Sequence, residues 1–296
     1  MAKPIELCFA ASPADQGCRL QDFLRKNGVS ATLIKAVKKE AGGFWADDSP
    51  IRTCDSVQAG KKIRFCLPPE PPTTVTPQNL PIQIAYESKH VIVLEKPAGM
   101  AVHPTLNYKD GTLANAYMGL LAQRGDAGVF RPVNRIDKDT SGLVLCAKNT
   151  WSAALLSQSV QKEYLAVVEG VLLGKGVIAA PIGRAPGSII LRRVCPEGKP
   201  SRTEYTAQTG NNAFTLVRAV PVTGRTHQLR VHFAHLGHPL AGDELYGGSR
   251  GQIGRHALHC AVMHFEEPEE KQTVRVESPL PEDMQRLLHP AREILK

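Results

Sequence analysis

The sequence predicts an α+β protein: a small unit of two helices and a few strands, followed by a larger mixed domain whose sheet is largely antiparallel. Three observations carry that reading. Leu67 to Pro81 holds six prolines in fifteen residues, which neither a helix nor a central strand tolerates, so it is expected to be an extended, semi-rigid linker. Before it, two short apolar patterns of helical period precede a strand pattern. After it, the strand-like runs 187–194, 201–208 and 214–220 follow one another directly, which favours antiparallel pairing over a regular βαβ array. The expected units are therefore residues 1–66, a linker over 67–81, and a domain over 82–296.

In the first unit, Leu20, Phe23 and Leu24 recur at helical spacing within 17–25. Ser30 stands at an N-cap before a second helix over 31–39. There Leu33, Ile34 and Val37 form the apolar stripe, while Lys35, Lys38 and Lys39 face outward. Gly42-Gly43 ends this helix, and Asp55 to Phe65 reads as a turn and a strand. In the second unit, 90–95, 142–147 and 164–168 are strand runs, with a helix over 150–161. Leu229, Phe233 and Leu236 predict a helix capped by Thr226 and ended by Gly237.

The chain carries 36 Lys and Arg against 28 Asp and Glu, a net +8. The excess is uneven. Residues 181–260 hold ten basic and four acidic residues, a local +6, and residues 1–67 hold eleven and seven, a local +4. Such clustering suits a polyanion partner, although a solvated basic surface gives the same count. No apolar run approaches the roughly 18 residues of a membrane span, and Glu6 sits where an export signal needs its apolar core. Seven cysteines without a Cys-x-x-Cys pair suit reduced thiols. A cytoplasmic, monomeric protein with no membrane partner is the expectation drawn from these features.

No phosphate-binding loop of the G-x-x-x-x-G-K-[ST] type and no G-x-G-x-x-G turn is present, so nucleotide cofactors have no support. His227, His232, His235, His238, His256, His259 and His264 lie in one third of the chain. They lack a His-Glu-x-x-His pattern, and local hydrogen bonding is favoured over a zinc site. No cofactor and no metal are expected.

Two stretches can carry chemistry. In Arg131 to Leu145 a charged, hydroxyl-rich loop runs into an apolar strand, with Asp137 just before that strand. A rigid scaffold can hold such a carboxylate in a cleft; a salt-bridged turn is the plain alternative. In Val222 to Gly237, Arg225 stands before a helix whose N-terminus favours anions. It can hold a phosphate or orient Asp137, or make a surface ion pair.

At these residues the sequence resembles the RluA family of RNA pseudouridine synthases. Asn134 to Gly142 (NRIDKDTSG) is similar to the family's H-R-L-D-x-x-T-S-G element, 224–232 (GRTHQLRVH) to its G-R-T-H-Q-[IL]-R-x-H element, and 162–170 (KEYLAVVEG) to its K-x-Y-x-A-x-V-x-G element. Supporting pieces are 95–104, 181–184, 198–200 and 238–243, in family order. The first unit more loosely resembles the α-L RNA-binding module often fused to these enzymes, with Ala46-Asp47-Asp48 in place of its Asn-Gly turn.

The resemblance implies roles. Asp137 aligns with the catalytic aspartate, Tyr164 with the tyrosine against the target base, Arg225 with the arginine that pairs with the aspartate, and Arg135 with the arginine that takes the place of the flipped uridine. Arg25, Lys35, Lys38, Lys39 and Arg230 join Arg135 as candidate RNA contacts. Asn134 stands for the usual His and Ile136 for the usual Leu. The reaction is an isomerisation, breaking a C–N glycosidic bond and rejoining uracil through C5. With an ordinary aspartate pKa of about 3.9, the carboxylate is ionised at neutral pH and can act as nucleophile, and the base must leave its stack. Ribosomal RNA is favoured as target and transfer RNA stays open. A non-catalytic RNA-binding or ribosome-assembly protein is the rival reading.

Overall fold

The computed structural model describes residues 5–105 and 108–289. The chain opens with strand β1 (Glu6–Ala10), helices α1 (Leu20–Lys26) and α2 (Ala31–Glu40), and strands β2 (Phe44–Ala46), β3 (Ser49–Ile51) and β4 (Lys62–Cys66). The four strands form an antiparallel sheet in the order β1-β4-β2-β3. Leu20, Phe23, Leu24, Leu33, Ile34 and Val37 are buried against it, so the helical stripes read from the sequence are the core stripes. Ser30 caps α2, its hydroxyl accepting from the Leu33 N–H at 3.2 Å. The turn between β2 and β3 keeps its shape without Asn-Gly. Asp47 adopts φ +49°, a left-handed conformation that Asp tolerates better than most residues, and its carboxylate accepts from the Lys62 N–H.

The remaining elements are β5 (Gln83–Glu87), β6 (Val91–Lys96), α3 (Leu113–Arg124), β7 (Ser141–Ala147), α4 (Thr150–Ser159), β8 (Gln161–Glu169), β9 (Lys175–Ala179), β10 (Ile182–Arg184), β11 (Arg192–Val194), β12 (Arg202–Gly210), β13 (Phe214–Pro221), α5 (Gln228–His235), β14 (Leu258–Glu266), β15 (Thr273–Glu277) and α6 (Glu282–Leu288). Nine strands form one sheet, β5-β6-β7-β14-β8-β13-β12-β9, with β15 on β14. Among its pairs, β7 with β14 is parallel and the others are antiparallel. The α+β class and the antiparallel bias therefore hold.

Two elements differ from the sequence reading. Residues 187–194 are not one strand. Gly187 takes φ +70° and the Ser188 hydroxyl accepts from the Ile190 and Leu191 N–H groups, so the chain turns and only Arg192–Val194 pairs, with β10. Helix α3 has no amphipathic signature because most of its surface is covered: Leu113, Ala114, Ala116, Tyr117, Met118 and Leu121 are all buried.

The proline-rich segment has no regular element, yet it does not hang free. The Asn115 side chain donates to Thr76 O at 2.9 Å, the Gln78 N–H donates to Asn115 O, and Arg131 pairs with Glu70. Gly119 on α3 makes room for it, since a Cβ there would lie 2.0 Å from Gln78 O. Nor does the linker isolate the first unit. Trp151, on α4, is buried in that unit's core, and its indole N–H donates to Asn27 O at 3.0 Å. Its ring lies against Phe9 and on the edge of His90. Gly28 (φ +78°) sits so close to Leu155 of α4 that a Cβ would come within 2.5 Å. The sequence pattern places Trp151 on a helix but does not say which core receives it.

Deleting this anchor has a predictable size. Trp151→Ala should cost about 3–5 kcal/mol, the range for emptying a buried aromatic site, read by urea unfolding. Removing residues 1–70 should likewise lower the melting temperature by baring Trp151 and Leu155. A truncation that melts with the full chain would show that the docked surface contributes nothing.

Candidate active site

The loop before β7 is fixed from several sides. Asn134 is buried, its carbonyl accepting from the Leu145 N–H at 2.8 Å and its amide facing Leu143 O, so this departure from the family pattern serves the loop's attachment to β7. The Thr140 N–H closes a turn on Asp137 O. The Thr140 hydroxyl meets His256 Nε2 at 2.7 Å, and the Ser141 hydroxyl meets His259 Nδ1 at 2.9 Å. Burial drives both histidines down, to about 2 and about 4, so they are neutral partners. Gly142, at φ +106°, lies where a Cβ would stand 2.3 Å from Cys260 O of the parallel neighbour β14. Only glycine permits that approach.

Lys96 supports the loop from beneath. It is 1% exposed, and its ammonium donates to Pro97 O, Met100 O and Lys138 O at 2.7–2.8 Å. Burial lowers its pKa to about 7, with Asp139 and Asp137 opposing. Three carbonyl acceptors also favour the charged form. Lys96 belongs to the 95–104 element of the sequence.

Asp137 thus projects at one wall of a cavity of about 530 Å³, whose lining includes Arg135, Tyr164, Arg225, His227 and Arg230. The cation on Asp137 is Arg230, with Nη1 3.2 Å from Oδ2. Arg225, assigned that role from the sequence, points elsewhere: it is exposed and its Nε donates to Pro200 O at 3.1 Å. The reason is where the helix begins. Thr226 is not the cap; α5 starts at Gln228, with His227 at the N-cap. The Gln228 side chain accepts from the Arg225 N–H and the Thr223 hydroxyl, holding Arg225 in the preceding loop. Arg230, one turn into the helix, faces inward.

Arg230 is also corrected as an RNA contact, because it is buried and doubly paired. Its Nε and Nη2 meet both oxygens of Asp243 at 2.7 Å, and its guanidinium lies 5.0 Å over the Tyr246 ring. Burial opposes its charge, but the bonds to Asp243 and the attraction of Asp137 prevail and its pKa is raised. Asp243, 2% exposed, and Tyr246 were not foreseen as site residues; the 238–243 element carried the signal for the first. Tyr164 is buried on β8 beside Cys260. Burial, then Cys260 and Asp137, push its hydroxyl well above the usual tyrosine range. Arg135 is exposed at the cavity. Arg25, Lys35, Lys38 and Lys39 are exposed on α1 and α2.

The histidines have local partners. His232 meets Thr203 Oγ1 and Ala180 O, His238 meets Glu169 O, and His227 meets Tyr246 Oη.

Residues 90–235 match the model of the RNA pseudouridylate synthase family. A Bacillus subtilis protein, the uncharacterized RNA pseudouridine synthase YjbO, is 34% identical over 276 residues, covering 91% of this chain and 98% of the relative. The chain belongs to the RluA family of RNA pseudouridine synthases. Ribosomal large subunit pseudouridine synthase D of Xylella fastidiosa is 39% identical to this synthase over 266 residues, covering 82% of the chain and 79% of the relative. The solved structure of human RNA pseudouridylate synthase domain containing 1 has 27% identity and a TM-score of 0.56, over 71% of the synthase and 86% of that chain. The synthase is an isomerase acting on RNA. Among its described residues no helix is long and apolar enough to cross a membrane.

Proposed function

We propose that Asp137 is the nucleophile of this isomerisation and that the substrate is ribosomal RNA. The observation that carries the first half is the chain Asp137–Arg230–Asp243, which ends in the cavity on Asp137. Asp243 fixes Arg230, and Arg230 fixes the carboxylate that faces the open volume. That volume lies within the roughly 300–1,000 Å³ of small-molecule pockets, room for a base and its sugar out of the stack. Tyr164 supplies an aromatic wall to the flipped base. Arg135, exposed at the rim, enters the place the base leaves, which offsets part of the unstacking cost of a few kcal/mol.

Ribosomal RNA is supported by the relatives whose names specify the large ribosomal subunit and by residues 1–66, proposed here as a second grip on RNA. Seven unpaired thiols suit a cytoplasmic setting for such a substrate. Incubating the synthase with unmodified ribosomal and transfer RNA and mapping pseudouridine in each is the direct test. Product in ribosomal RNA is expected, and product confined to transfer RNA would move the assignment.

The second grip has its own readout. Replacing Lys35, Lys38 and Lys39 by Ala should weaken RNA binding and flatten its salt dependence. Every phosphate that the variant no longer neutralises lowers the slope of log affinity against log salt by about 0.7–0.9. Equal slopes for the variant and the parent would remove α2 from the interface.

A further inference from the structure

We propose that His227 is the base that removes the C5 proton of the target uracil, a role that rests on the isomerisation assigned above to the Asp137 cavity. The backbone gives the first indication. His227 holds φ +57°, ψ +20° at the N-cap of α5, yet its side chain caps nothing. The other described non-glycine residues at positive φ are Asp47, in a hairpin turn, and Lys271, in the loop between β14 and β15. His227 is the one that lines the cavity. A strained left-handed residue at a site is kept there by what its side chain does.

The side chain has a fixed orientation. Nδ1 lies 2.7 Å from Tyr246 Oη, and Tyr246 is itself held, accepting from the Arg192 N–H at 3.1 Å. Nε2 is turned to the cavity, 3.8 Å from Asp137 Oδ2. With Nδ1–H donating to Tyr246, the Nε2 lone pair faces the space where chemistry at Asp137 takes place. Other groups there are less suited. Tyr164 is buried with its hydroxyl held protonated. His103, the cavity's second histidine, is set against Phe130 beside Arg135.

The step balances. Once C1′ is joined to C5, that carbon carries both its hydrogen and the new bond. The C5–H electron pair returns to form the C5=C6 double bond, and the proton goes to Nε2. The imidazolium so formed faces the Asp137 carboxylate, which is free again by this stage. It passes its proton to solvent, and N1 of the base takes up one proton, so the product is an isomer of the substrate.

The reaction then needs neutral His227. Burial pushes its pKa below 6.5; Asp137 and Asp243 pull it up, while Arg230 and Arg192 push it down. Tyr246 and the neutral His256 complete its surroundings. Activity should therefore fall as pH drops through a value below 6.5.

His227→Asn separates this role from a structural one. Asn accepts the left-handed backbone, and its amide nitrogen replaces Nδ1 toward Tyr246, but it has no titrating nitrogen. H227Q serves the same purpose if H227N does not fold. The expected variant binds RNA with unchanged Kd, loses about 10²-fold or more in single-turnover rate, and loses the acid limb. With 5-deuterated uridine in the RNA it gains a primary isotope effect, because C5 deprotonation becomes rate-limiting. A rate within a few-fold of the parent, or a slow variant with no isotope effect, overturns the proposal. If the unaltered synthase releases no C5 proton from any RNA, the functional reading fails first; if it does and H227N equals it, this proposal alone fails.

Discussion

Asp137→Asn should abolish uridine isomerisation while RNA affinity stays nearly intact. The substitution is close to isosteric. Its amide oxygen still accepts from Arg230 Nη1, and Arg230 keeps both of its bonds to Asp243, so the cavity wall should not move. Phosphate contacts belong to exposed cations such as Arg135 and the α2 lysines, which the change does not touch. What disappears is the group able to form and release a bond at the reacting centre. Deleting a catalytic group of this kind costs on the order of 10⁴-fold or more in rate. Single-turnover release of the C5 hydrogen, with affinity measured on the same RNA, separates the two quantities. Turnover by D137N near the parental rate would end the nucleophile assignment. Loss of affinity in step with rate would mean that Asp137 acts in binding.

The parts of this site that the sequence displays are those fixed by backbone geometry. Asp137 could be placed because a hydroxyl-rich loop running into an apolar strand is a local pattern, and Gly142 records in one letter a close approach between two strands. The first unit's helices were legible for the same reason, their stripes being matched to a core within the same segment. What failed was whatever depended on a distant partner. Arg225 and Arg230 are both arginines near a predicted helix start, and only the side-chain bonds of Gln228 decide which lies in the loop and which turns inward. Arg230 shows its role through Asp243, thirteen residues away, and Trp151 through Asn27, on the far side of the proline segment. Helix α3 carries no period because the sheet, the loops and the proline segment cover most of it, as Gly119 against Gln78 illustrates.

The two arginines give the sharpest contrast in expected effect. Arg225→Ala removes an exposed side chain whose Nε bonds Pro200 O, so single-turnover rate should stay within a few-fold of the parent and stability should barely change. Arg230→Met removes the cation shared by two carboxylates and strands Asp243, 2% exposed, without a partner. Leaving one half of a buried pair costs about 3–5 kcal/mol, and Asp137 no longer has the cation that aims it. Rate and stability should therefore fall together, which alone would not separate catalysis from folding. Arg230→Met combined with Asp243→Asn does separate them. With the stranded charge neutralised, most of the stability should return, because a buried pair replaced on both sides is far less costly than one broken on one side. The rate should not return, since no guanidinium remains beside Asp137. Unfolding midpoints and single-turnover rates for the three variants provide the comparison. A double variant that regains both would reduce Arg230 to a structural cation, and an R225A variant as impaired as R230M would restore the pairing that the sequence suggested.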